Sequence, residues 1–240
     1  MKRIVLAVLA FGILTAQGQT VDEIIQKYSA NLGGLDAFNK IKTAKLTGTF
    51  TTQGMDFPIT IQIVNGKASR LDMNIESMNA QVINVYNNGK AWKQNPFAGA
   101  PTPTAVESGP EYNDLKVQSM FAPVLMDYKA RGHKVELQGQ EKVEGVNTFK
   151  IVLTAKEDGR VTNYYISTTD YTLIKSSTDR EVQGQTVTLE SFYSDLKTIN
   201  GVKIFMARDQ KMNGEVFQTT KFTSVELDVP VDNKIFEMPK

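Results

Sequence analysis

Apolar and polar residues alternate along much of the chain. Phe57, Ile59, Ile61 and Ile63 share one parity, with Thr60, Gln62 and Val64 on the other, and Leu71, Met73 and Ile75 alternate with Arg70, Asp72 and Asn74. Successive side chains of a strand point to opposite faces, so each run predicts a strand with one oily and one wet face. From Ala44 onward such runs are separated by Asn65-Gly66, Asn88-Gly89, Asp158-Gly159, Asn200-Gly201 and Asn213-Gly214. Asn, Asp and Gly tolerate the positive φ of tight hairpin turns. The pattern therefore predicts an antiparallel meander of about eleven strands. A curved sheet that is apolar on one face must close on itself or be covered.

Two stretches change period. Thr20-Val21-Asp22-Glu23 has the form of a capping box, and Val21, Ile24, Ile25, Tyr28 and Leu32 follow at helical spacing until Gly33-Gly34. One amphipathic helix is expected there, with a second short turn over residues 35–41. The only long break between strands runs from Asn95 to Gly132. Through Pro110 its composition reads as loop. Beyond that, Val117, Phe121, Val124, Leu125 and Tyr128 fall at helical spacing, with Pro123 interrupting the helix or starting a new one. Both flanking blocks have the same strand character, so the break is read as a loop and helix folded over one continuous sheet.

The amino terminus adds a destination. Lys2 and Arg3 precede an apolar run from Ile4 to Leu14 and then the small residues of Thr15-Ala16-Gln17-Gly18. That order predicts a cleavable signal peptide over residues 1–18, leaving residues 19–240 as a single exported domain in the periplasm. The chain has 27 Lys plus Arg and 26 Asp plus Glu; without Lys2 and Arg3 the balance is 25 minus 26, or −1. No basic face for nucleic acid is expected from that balance.

Candidate chemistry is sparse. With one histidine, His133, and no cysteine, the usual zinc constellations cannot be built, and neither metal nor cofactor is expected. His133, at a helix-to-strand junction, reads as a surface or capping residue. Asp56, Asp72, Glu76, Glu190 and Asp195 mostly alternate with apolar residues, as on the solvated face of half-buried strands. A hydrolase built from such scattered acids stays open as the least favoured reading. Eight methionines beyond Met1 fit either an adaptable cavity or ordinary core.

The segment Asn88-Gly89-Lys90-Ala91-Trp92-Lys93-Gln94-Asn95-Pro96-Phe97 resembles the Gly-Lys, Trp and Asn-Pro-Phe signature of the LolA/LolB superfamily, periplasmic carriers of lipoproteins. Asn31-Leu32-Gly33-Gly34-Leu35, Leu125-Met126-Asp127-Tyr128-Lys129 and Tyr193-Ser194-Asp195 are similar to a divergent branch, the outer-membrane lipoprotein-sorting protein-like chains. The resemblance implies an α+β, mainly β fold: an open, incomplete antiparallel barrel with helices over its concave face and acyl chains entering between them. It implies a monomeric carrier without covalent chemistry. Its partners would be the acyl chains of lipids or lipoproteins, an inner-membrane donor and an outer-membrane receiver. Residues expected to line the apolar space are Phe50, Phe57, Ile59, Ile61, Leu71, Met73, Trp92, Phe97, Phe121, Leu125 and Met206. In that family an Arg-Pro pair on an early strand helps latch the helical lid. Here the hairpin reads Val64-Asn65-Gly66-Lys67-Ala68-Ser69-Arg70, leaving Arg70 as the latch candidate. The competing reading is an envelope adaptor whose interior is filled by its own side chains.

Overall fold

The computed structural model describes residues 19–182 and 184–239; the signal-peptide reading lies outside them. After helices α1 (Val21–Asn31) and α2 (Leu35–Lys40) come six strands: β1 (Thr43–Thr52), β2 (Met55–Val64), β3 (Ala68–Ile75), β4 (Ala80–Asn87), β5 (Lys90–Asn95) and β6 (Ala100–Ala105). Helices α3 (Gly109–Gln118) and α4 (Tyr128–Arg131) follow, with a 3-10 turn at Val124–Asp127 between them. Seven more strands complete the order: β7 (Lys134–Val143), β8 (Val146–Thr154), β9 (Val161–Ser167), β10 (Leu173–Val182), β11 (Gln185–Ile199), β12 (Val202–Met212) and β13 (Glu215–Leu227).

All thirteen strands form one antiparallel sheet in the order β6-β5-β4-β3-β2-β1-β13-β12-β11-β10-β9-β8-β7. Each half is a meander, and β1 and β13 join the halves. The free edges are β6 and β7, which are consecutive in the chain. The barrel is left open where the helical insertion intervenes.

The expected strand number was about eleven, and one of the additional strands is β6, Ala100-Pro101-Thr102-Pro103-Thr104-Ala105, in a stretch read as loop. Proline cannot donate to a ladder, so two of them argue against a strand except at an edge, where one side needs no donors. The helix anticipated around residues 117–128 is likewise divided. The chain is α-helical to Gln118, extends at Pro123, and resumes as a 3-10 turn leading into α4.

The capping box forms as read: the Thr20 hydroxyl accepts from the Glu23 N–H and the Glu23 carboxylate from the Thr20 N–H. Ile24, Ile25 and Tyr28 of α1 enter one buried cluster with Phe149, Ile151, Leu153 and Ile166. The helix therefore fills one half of the concave side. Its end is fixed by Gly33, at φ +108°, where a Cβ would come within 2.4 Å of the Gly201 carbonyl oxygen in the β11–β12 turn. Asn31 and Leu32 bind the same hairpin through Lys203, whose Nζ donates to Asn31 Oδ1 and whose N–H donates to the Leu32 carbonyl. The Asn31-Leu32-Gly33-Gly34-Leu35 motif is thus a docking joint.

Candidate functional site

The other half of the concave side is hollow. Cross-strand register sets its floor: Leu46↔Ile61, Ile61↔Leu71, Ile59↔Met73 and Met73↔Val82 carry one apolar face across β1 to β4. Directly opposed residues share a face, so the parity read in each strand becomes a continuous surface. Tyr193, Phe205 and Phe222 complete the wall, the first two with ring centres 5.4 Å apart. The space they line is about 560 Å3.

One side chain reaches both halves of the hollow's roof. Phe38 of α2 and Phe121, in the segment after α3, cover the hollow with ring centres 5.8 Å apart. Asn65, in the β2–β3 turn, donates from Nδ2 to the carbonyls of Phe38 (3.2 Å) and Ile41 (2.8 Å). Its Oδ1 accepts from the Phe121 N–H at 3.0 Å, and the next residue, Gly66, donates to the Ser119 carbonyl at 2.8 Å. Elsewhere in the roof, Asp22 of α1 accepts from the Tyr128 hydroxyl and pairs with Lys129 Nζ at 2.7 Å. Lys129, and then Tyr128, hold the Asp22 carboxyl below the usual carboxylate range.

No known family model matches the sequence, and no curated protein matches it. Solved structures do resemble the fold. A LolA superfamily protein from Nitrosomonas europaea superposes with a TM-score of 0.58 at 10% identity, over 92% of this chain and 98% of that one. A DUF1329 family protein from Desulfovibrio piger gives 0.61 at 12%, over 92% and 98%. A domain described as that of an outer membrane lipoprotein-sorting protein, from Vibrio parahaemolyticus, gives 0.58 at 11%, over 89% and 94%. The fold is LolA-like.

Within this LolA-like fold, six of the anticipated lining residues come together around the hollow: Phe50, Ile59, Ile61, Leu71, Met73 and Phe121. Phe57 opposes Phe50 in the same face but lies toward the hairpin end, half-buried and outside the lining. Leu125 is fully buried in the cluster under α1, and Met206 is buried without reaching the hollow. Phe97 is 58% exposed on the 3-10 turn that joins β5 to β6, where Asn95 Oδ1 accepts its N–H. Leu46, Phe38, Tyr193, Phe205 and Phe222 were missed as lining residues.

Trp92 lies on the opposite, convex face, correcting its expected place in the lining of the apolar space. It clusters with Ala68, Ile83, Val85 and Phe236, and its indole N–H donates to the Phe236 carbonyl at 3.1 Å. The carboxyl-terminal segment covers this patch from outside. Arg70 opposes Val85, which opposes Trp92, so it too faces outward. Its guanidinium makes a bidentate pair with Asp72, donates to the Ile235 carbonyl at 2.6 Å and sits 5.7 Å from the indole centre. Arg70 straps the tail to the sheet, and the β2–β3 turn, through Asn65 and Gly66, joins the sheet to the Phe38 and Phe121 roof.

A second hollow, of about 690 Å3 beneath α3 and α4, is chemically different. Asp114 pairs there with Arg160 at 2.5 Å and Arg180 at 3.1 Å, giving it a charged lining unsuited to hydrocarbon. His133 lines it too and is buried, which corrects the surface reading. Its Nδ1 accepts the Lys156 N–H at 3.1 Å, and burial pushes its pKa down despite Glu157 at 3.7 Å. Below the ordinary imidazole value of about 6.5 the unfolded chain takes up a proton that the folded one resists, so stability present above that value is lost as pH falls. His133→Gln is expected to flatten that dependence. Urea midpoints between about pH 7.5 and about pH 5.5 check it, the wild type losing more than the variant.

Four of the five carboxylates flagged for a possible hydrolase are each engaged by a different neighbour, and among the described residues no three acids or histidines gather as a metal site. Asp72 binds Arg70, Glu190 binds Lys175, Asp195 binds Lys197 and Asp56 accepts from Thr51. Among the described residues, no helix is long and apolar enough to cross a membrane.

Proposed function

We propose that residues 19–240 form one exported carrier domain that shelters acyl chains of lipids or lipoproteins in the roofed hollow and moves them across the periplasm toward the outer membrane. The supporting observation is the hollow itself: about 560 Å3 of space with a largely aliphatic and aromatic lining, in a chain whose LolA-like relatives in fold include a lipoprotein-sorting domain. Ligand pockets typically fall between about 300 and 1,000 Å3. Each buried methylene contributes about 0.8 kcal/mol, so ten or so offset about 8 kcal/mol of the cost of leaving a membrane. Phe50, Ile59, Ile61, Leu71, Met73 and Phe121 are the contact residues of this reading. Release requires the Phe38 and Phe121 roof to lift and expose the sheet to a receiver. No covalent step enters.

The test combines two measurements. Native mass spectrometry of protein purified gently from the envelope is expected to show lipid-sized adducts, and the stripped protein is expected to take up a fluorescent fatty acid. Leu71→Trp, which places an indole in the hollow, should reduce uptake by about tenfold or more with little change in Tm. An adduct-free mass together with no uptake would sink the carrier reading and favour the adaptor.

A further inference from the structure

The hollow carries charge of one sign. Among the described residues that line it, the charged ones are Lys203 and Arg208; no aspartate or glutamate joins them. Lys203 is occupied, its ammonium donating to Asn31 Oδ1 at 2.9 Å where α1 closes that end. Arg208 is not. It is exposed, and among the described residues its guanidinium has neither a hydrogen-bond acceptor nor an ion-pair partner. The next residue, Asp209, accepts from the Thr219 hydroxyl at 2.6 Å instead.

Register fixes where Arg208 stands. Phe57↔Phe50, Phe50↔Thr220, Thr220↔Arg208 and Arg208↔Tyr193 make one row across five strands on the hollow's face. Five residues of β12 separate it from Lys203, about 17 Å at a strand rise of about 3.4 Å per residue. One end of the apolar wall is therefore shut by α1 and α2, and the other ends at an unpaired guanidinium. Hydrocarbon needs no such group. An amphiphile whose chain runs inward leaves its head at this row, and a planar guanidinium matches the oxygens of a carboxylate or phosphate.

Resting on the carrier reading, we propose that the hollow selects amphiphiles with an anionic head, a carboxylate or a phosphate ester, and that Arg208 is the residue that selects them. Three sixteen-carbon probes of equal chain length separate the possibilities: palmitate, hexadecyl phosphate and hexadecanol, each competing with a bound fluorescent fatty acid. At least one anion is expected to bind about tenfold more tightly than the alcohol, with the gap narrowing as salt screens the exposed pair. Preference for palmitate points to a free fatty acid, and preference for hexadecyl phosphate to a phospholipid-type head. Arg208→Gln should close the gap while leaving hexadecanol affinity unchanged. Equal affinities for all three in the wild type, or a gap that persists in Arg208→Gln, would overturn the assignment and leave the carrier reading standing. Failure of all three to bind would overturn the carrier reading with it.

Discussion

Trp92→Ala is expected to destabilise the protein by about 3–5 kcal/mol, the range for removing a large buried aromatic, and to leave uptake by the hollow unchanged. The indole is 3% exposed and packs between the outer face of β4 and Phe236. Truncation opens a cavity beneath the tail and strips the Phe236 carbonyl of its donor. Trp92→Phe retains part of the packing but loses the N–H and the remaining indole volume, so it should cost about 1–3 kcal/mol. Because Trp92 is the only tryptophan, circular dichroism rather than fluorescence must follow the denaturant midpoints. Limited proteolysis beyond Asp228 should also accelerate, since the tail is pinned to the patch by the indole and Arg70. Reduced uptake at unchanged stability would instead return the ring to the hollow.

The same residue shows what could be read in the sequence. Alternation placed Ile59, Ile61, Leu71 and Met73 on one face correctly, because that face meets a single apolar environment. It also excluded Arg70 from that face, since a residue adjacent to Leu71 in a strand must point the other way. The resemblance suggested a latch there, and parity was the better guide. Trp92 was harder. Strand β4 has apolar residues at both parities, Val82 and Tyr86 inward, Ile83 and Val85 outward, which is the signature of a strand covered on both faces. That signal was present, but the covering segment lies 144 residues away and carries only a short apolar run. Likewise β6 was hidden by its prolines, which are tolerable only because of where the strand falls in the sheet order.

Asn65 illustrates a different limit. Asn-Gly was read as a turn signal, and a turn is there, but the two residues do not both enter positive φ as Asn88-Gly89 and Asn200-Gly201 do; only Gly66 does. The asparagine amide is engaged instead with the roof. Local propensity explains the turn, and only the fold reveals the second use of the same side chain.

Asn65→Ala should therefore act on the roof more than on the turn. It removes three hydrogen bonds, to the Phe38 and Ile41 carbonyls and from the Phe121 N–H, and leaves those groups to find water or remain unpaired. At about 0.5–1.5 kcal/mol each, and with incomplete additivity, the loss is about 2–4 kcal/mol. If the roof opens separately from the sheet, the loss appears first as faster amide exchange at Phe121 and over α2, with β2 and β3 still protected. Under the carrier reading, in which release requires the roof to lift, dissociation of a bound fluorescent fatty acid should then quicken by about tenfold. Asn65→Asp distinguishes a latch from a general loss of stability. It keeps the acceptor for Phe121 but sets a carboxylate against two carbonyls, so α2 should loosen while exchange at Phe121 stays near the wild-type rate. Uniformly faster exchange across the sheet in Asn65→Ala, with no excess in the roof, would mean that Asn65 serves the hairpin alone and that the roof is held elsewhere, with Asp22, Tyr128 and Lys129 the next contacts to break.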